Sequence, residues 1–114
     1  MTRRGEIYWV DWSPGRGSEQ IGLRPALIIQ NDIGNQYSPT TIVAAISTKA
    51  PSKAYPFQVL ISSAESGLLE DSIVKCEQIM TVDAARLANR VGQLTGAKMA
   101  EVDIAICRSL GLSC

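Results

Sequence analysis

The stretch Gly17–Asp32, GSEQIGLRPALIIQND, is the one whose reading decides the fold of this chain. Its first half, Gly17 to Leu23, is polar and carries glycine. Its second half is an apolar run, Ala26 to Ile29, introduced by Arg24-Pro25. Proline disfavours the α region for the residue before it, so Arg24 is expected to be extended at the mouth of a strand. A guanidinium held there, beside a loop bearing Glu19 and Gln20, suits a phosphate. Its planar fork of donors matches phosphate oxygens and stays charged at any working pH. The plain structural alternative is an Arg24–Glu19 bridge. The connection from Ser13 to Leu23, with Gly15, Gly17 and Gly22, is longer than the usual hairpin loop of about two to five residues, which favours a functional loop. It is not a Walker loop, because no GK[ST] follows its glycines.

Working outward, Glu6–Trp12 (EIYWVDW) is aromatic and β-branched and reads as a first strand, apolar on both faces. Ile7 and Trp9 fall on one side, Tyr8, Val10 and Trp12 on the other. Arg24–Gln30 is the second strand. Asn31-Asp32 and Gly34-Asn35 are turn chemistry, and Ser38-Pro39 breaks any helix between them. Thr41–Thr48 is a third strand, Pro56–Ser62 a fourth and Ser72–Val82 a fifth, the last with Ile73, Lys75, Glu77 and Ile79 on one face. Ser66-Gly67 turns the chain between the fourth and fifth. Asp83 caps a short helical turn to Leu87, and Val91–Leu94 adds a short last strand. Thr95 then caps a helix over Gly96–Leu110, with Met99, Val102, Ile106 and Leu110 at helical spacing and Gly111 as its stop. The expectation is a small, curled antiparallel sheet with one terminal helix packed on it.

The 114 residues form one domain, 1–114. Net charge is zero, but residues 1–60 hold six basic and four acidic groups and residues 61–114 five basic and seven acidic, giving +2 and −2. Neutrality argues against a general nucleic-acid coat and leaves a local phosphate site open. Cys76, Cys107 and Cys114 show no CxxC spacing and have no histidine to complete a zinc site, so they are expected to be reduced thiols of a cytoplasmic protein. No signal peptide is expected, and no apolar run nears the roughly 20 residues of a membrane span.

The absence of histidine removes the usual general base, and no carboxylate pair has metal-ligand spacing, so no metal or other cofactor is expected. What remains is Arg, Glu, Gln, Ser and Thr at strand ends and in loops. Such a set suits transfer within RNA, where the substrate supplies its own nucleophile, the 2′-hydroxyl, already close to phosphorus. Arg16, Lys49 and Lys53 lie in loops near Arg24 and are placed to hold flanking phosphates. Trp12, Tyr37, Tyr55 and Phe57 are the aromatics available for base stacking.

RGEIYWVDW, GSEQIGLRP, LIIQND, SPTTIVAAIST, YPFQV, GLLEDS and EQIMTVD followed by Arg86-Leu87 together resemble the MazF/PemK-type toxins of bacterial toxin–antitoxin pairs, in the same order over almost the whole chain. The resemblance implies a compact SH3-like barrel, mainly β with a C-terminal helix, shared by the MazF, PemK and CcdB toxins. It also implies a homodimer, and metal-independent, sequence-specific cleavage of single-stranded RNA that leaves a 2′,3′-cyclic phosphate and a 5′-hydroxyl and arrests growth. The family's catalytic arginine falls on Arg24. Its catalytic threonine falls by register on Ser47, a departure from the family pattern, with Thr48 as the alternative because adjacent strand residues face opposite ways. Glu19 matches the loop glutamate, either accepting the 2′-hydroxyl proton or positioning a base, while Gln20 and Gln78 are assigned to RNA contact. The implied partner is a cognate antitoxin with an acidic, partly disordered segment that competes for the RNA groove. The rival is a non-catalytic toxin of the same fold that poisons a protein target such as DNA gyrase. That class uses a Trp-Gly-Ile end, where this chain reads Gly111-Leu112-Ser113-Cys114.

Overall fold

The structure, a computed structural model, describes residues 1–12 and 22–114. Its elements in chain order are β1 (Glu6–Asp11), β2 (Leu23–Ile28), α1 (Asp32–Tyr37), β3 (Thr40–Ser47), β4 (Gln58–Ile61), α2 (Ser63–Ser66), β5 (Ser72–Asp83), a 3₁₀ turn (Ala84–Arg86), β6 (Leu87–Gln93) and α3 (Gly96–Leu110). The strands form one antiparallel sheet in the order β4-β5-β3-β2-β1-β6. It is the mainly β fold with a terminal helix that the sequence implies. Among the described residues the ladder is not closed, because β4 and β6 are its two ends.

Both faces of the sheet are apolar at its centre, so two cores form. On the α3 side Ile7, Leu27, Ala44, Ile46, Val59, Ile61, Val74 and Cys76 pack with Leu94, Met99, Val102 and Ala105. The opposite face curls on itself and encloses Val10, Ala26, Ile28, Val43 and Val82, with Tyr8, Trp12, Met80 and Leu87 against them. Strand β1 and the residue after it divide their side chains between the two as the alternation implies: Ile7 and Trp9 to the first, Tyr8, Val10 and Trp12 to the second. Each fully buried aliphatic side chain contributes about 1.5–3 kcal/mol.

Four local expectations are corrected. The turn region 31–38 is a short helix, α1. Asn31 caps it by accepting from the Gly34 amide at 2.8 Å, chemistry that serves a helix start as well as a turn. Ser66-Gly67 is the end of helix α2, opened by a capping box in which Ser62 and Glu65 each accept from the other's amide and closed by Gly67 at φ 84°. The last strand is longer than expected: β6 runs from Leu87 and pairs with β1, with register shifts, along an exposed edge whose Ala88-Asn89-Arg90 carry no apolar alternation. The fourth correction concerns the cysteines. Gly111, at φ 72°, turns the tail back over the end of α3, where Leu112 N–H donates to the Cys107 carbonyl at 2.8 Å. This brings the Cα atoms of Cys107 and Cys114 to 6.2 Å, and the two are joined in a disulfide rather than reduced. Helix α3 otherwise follows its sequence, capped by Thr95, which accepts from the Lys98 amide at 3.2 Å. Among the described residues no helix is long and apolar enough to cross a membrane.

Candidate functional site

The site arises where two strands part. Strands β2 and β3 pair only over Ala26↔Ala45, Leu27↔Ala44 and Ile28↔Val43. Beyond Ala26, β2 stays with β1 as far as Leu23↔Asp11, while β3 stays with β5 as far as Ser47↔Ile73. Pro25, which has no N–H to give a ladder, sits at the point of divergence. The splayed ends bound a cleft of about 490 Å³ lined by Trp9, Leu23, Arg24, Pro25, Ile46, Ser47, Thr48, Lys49, Lys75 and Gln78. Extending the β2–β3 pairing by two residues sets Arg24 across from Ser47 on one face. A second cleft of about 690 Å³ adjoins the first and shares Ser47, Lys49 and Lys75 with it. It continues over Lys53, Tyr55 and Gln58.

The structure thus gathers Arg24, Ser47, Thr48, Lys49 and Gln78 in one cleft and puts Lys53 in its neighbour. Both hydroxyl residues line the first cleft, because β3 ends at Ser47 and strict alternation stops there. Glu19, Gln20 and Arg16 lie outside the described residues. Of the aromatics, Tyr55 lines the second cleft and stacks on Phe57 at 5.3 Å. Trp12 is partly buried against the second core, with its Nε1 buried and unpartnered among the described residues, and Tyr37 is exposed on α1.

The sequence reading passed over Lys75. It was grouped with Ile79 on one strand face, but the ladder steps directly from Ala44↔Ile79 to Ala45↔Lys75, so Cys76, Glu77 and Gln78 bulge without β3 partners. Paired residues share a face, so the bulge turns Lys75 away from Ile79, and both Lys75 and Gln78 line one cleft although three residues apart. A lysine between the apolar Ile73-Val74 and Cys76 was the available signal.

Electrostatically the two clefts are one-sided. Four cations line them, Arg24, Lys49, Lys53 and Lys75, and no carboxylate does among the described residues. The nearest acid along β5, Glu77, accepts instead from the Gln58 amide at 2.7 Å. Other cations have partners elsewhere: Arg4 with Asp103, Arg90 with Glu6, Lys98 with Glu65 and Glu101. Cys76 offers no nucleophile, since it is fully buried on the α3 side and burial pushes its thiol up to about 11. No group of three His, Cys, Asp or Glu among the described residues is placed to hold a metal. The arrangement can hold a polyanionic ligand and put an arginine and a hydroxyl on one of its phosphates.

The model of the PemK-like, MazF-like toxins of type II toxin–antitoxin systems matches residues 3–110. A mycobacterial endoribonuclease solved with its cognate antitoxin superposes with a TM-score of 0.82 at 23% identity, covering 100% of this chain and 99% of the other. Toxin MazF-mt6 of Mycobacterium tuberculosis gives 0.80 at 21% identity, over 96% and 99%. MazF of Deinococcus radiodurans gives 0.77 at 25% identity, over 97% of each chain. With the family model spanning nearly the whole sequence and the same fold in these toxins, the chain belongs to the PemK-like, MazF-like toxins of type II toxin–antitoxin systems.

Proposed function

We propose that this toxin is a metal-independent endoribonuclease that cuts single-stranded RNA at a short sequence motif and so arrests growth. The observation that supports it is the cleft between the parted ends of β2 and β3, which gathers Arg24, Ser47, Thr48 and Lys49 and which no carboxylate lines among the described residues. In the proposed reaction the 2′-oxygen forms a bond to the adjacent phosphorus as its proton passes to a base. The bond from phosphorus to the 5′-oxygen breaks, and that oxygen takes up a proton. The products are a 2′,3′-cyclic phosphate and a 5′-hydroxyl. Arg24 stabilises charge on the phosphorane oxygens, Ser47 hydrogen-bonds one of them with Thr48 as the alternative, and Glu19 takes the 2′-proton or positions a base. Gln20 and Gln78 touch the RNA, while Arg16, Lys49 and Lys53 hold flanking phosphates.

Its partners, on the same reading, are a second copy of the chain and a cognate antitoxin. The solved mycobacterial endoribonuclease carries its own antitoxin, and an acidic segment would find the same four cations that RNA does. The test is incubation of the purified protein with long single-stranded RNA in EDTA beside Arg24→Ala. Discrete 5′-hydroxyl ends at a recurring motif, absent in the variant, are the expected result. Intact RNA with folded wild-type protein would move the reading to a non-catalytic toxin that binds a protein target such as DNA gyrase.

A further inference from the structure

We infer that Lys75 is a further catalytic residue, the second cation on the scissile phosphate. The inference rests on the nuclease reading above. Three observations carry it. Lys75 lies in the wall shared by the two clefts, where a chain running from one to the other must pass. It is the diagonal neighbour of Ser47: Ser47 pairs with Ile73, and Lys75 is the next residue on that face of β5. Diagonal neighbours stand about 7–8 Å apart, within reach of a lysine side chain. Extending the β2–β3 register past its last pair puts Arg24 on the other side of Ser47, so that Arg24, Ser47 and Lys75 follow one another over β2, β3 and β5 on one face. Third, Lys75 is half-buried, and among the described residues no carboxylate pairs with its ammonium.

A half-buried cation that no carboxylate pairs with among the described residues gives up part of its hydration, an arrangement that favours a bound anion. The chemistry asks for more than one cation. As the 2′-oxygen bonds to phosphorus, charge grows on two non-bridging oxygens, which point in different directions. A single guanidinium approaching from β2 faces one side of that pair, and an ammonium from β5 faces the other. The bulge at residues 76–78 is what delivers it, since it turns Lys75 onto the face opposite Ile79.

The test uses steady-state cleavage of a labelled single-stranded RNA spanning a cut site mapped with the wild-type protein. Lys75→Met should lower kcat about a hundredfold while KM stays within about threefold, and Lys75→Arg should restore part of the rate. With sulfur in place of either non-bridging oxygen, the wild type should prefer one phosphorothioate diastereomer and Lys75→Met should lose that preference, a change that a purely structural lysine would not produce. An unchanged kcat, a defect confined to KM, or an unchanged diastereomer ratio in Lys75→Met overturns the inference. If Lys75→Met does not fold, Lys75→Gln, which also removes the charge, is read in the same way. Wild-type protein that leaves every RNA intact defeats the nuclease reading itself, and this inference with it.

Discussion

Replacing Arg24 by alanine removes an exposed cation that touches no core, so the expected result is a folded protein whose cleavage rate falls by roughly 10²–10³. Ser47→Ala is expected to cost more rate than Thr48→Ala, because the extended register puts Ser47 and not its neighbour across from Arg24. Cys76 gives a prediction of a different kind. Burial raises its thiol to about 11 from an ordinary value near 9, so the folded protein keeps the proton that the unfolded chain releases. Stability from this group is complete below about pH 9 and is lost as pH rises towards 11, on the order of 2 kcal/mol in all. Urea unfolding between pH 8 and 11 should show this loss, and Cys76→Ala, less stable at neutral pH, should lack that component. Single residues were legible where the chemistry is local: Arg24 follows from the proline after it, and the missing histidine from composition alone. Lys75 was not, because its direction depends on a three-residue bulge that only its partner strand reveals.

Among the elements, α2 and β6 form the most tightly specified joint. A Cβ on Gly92 would be driven into the Ser66 carbonyl, and one on Gly67 would meet the Val91 carbonyl at 2.6 Å. Gly92→Ala therefore forces backbone apart, and a loss of about 2 kcal/mol or more is expected in chemical denaturation. Glu65→Ala should cost about 1 kcal/mol, since it removes half of the α2 capping box. The Ser62 amide holds the Glu65 carboxyl below its ordinary value, so that contribution is present at neutral pH and fades as the group protonates in acid. Elements with strong periodicity were read nearly to the residue: α3 ran from Gly96 to Leu110 as its apolar spacing and Thr95 cap implied. The short ones failed for a shared reason. Asn31 and Ser62 are residues of turns and of helix caps alike, and whether one turn of helix follows depends on what it packs against. Strand β6 was expected too short because Ala88, Asn89 and Arg90 are all exposed, so that no apolar alternation marks them in the sequence.

At the scale of the molecule, overall neutrality concealed a cleft whose charged lining among the described residues is four cations, Arg24, Lys49, Lys53 and Lys75. The cleft itself was not legible, since no sequence signal says where two paired strands will part. That parting has a consequence for exchange with solvent. Backbone amides of Leu23, Arg24, Ile46 and Ser47 that face the seam have no strand opposite among the described residues, whereas those of Ala26–Ile28 and Val43–Ala45 are in the full ladder. Unpaired amides satisfied by water trade their protons readily. Deuterium labelling followed by mass spectrometry should therefore find an early-labelling notch at the edge of a slow-labelling sheet, and RNA seated in the cleft should erase it. The same gap that admits a ligand is thus a built-in isotopic reporter of its occupancy.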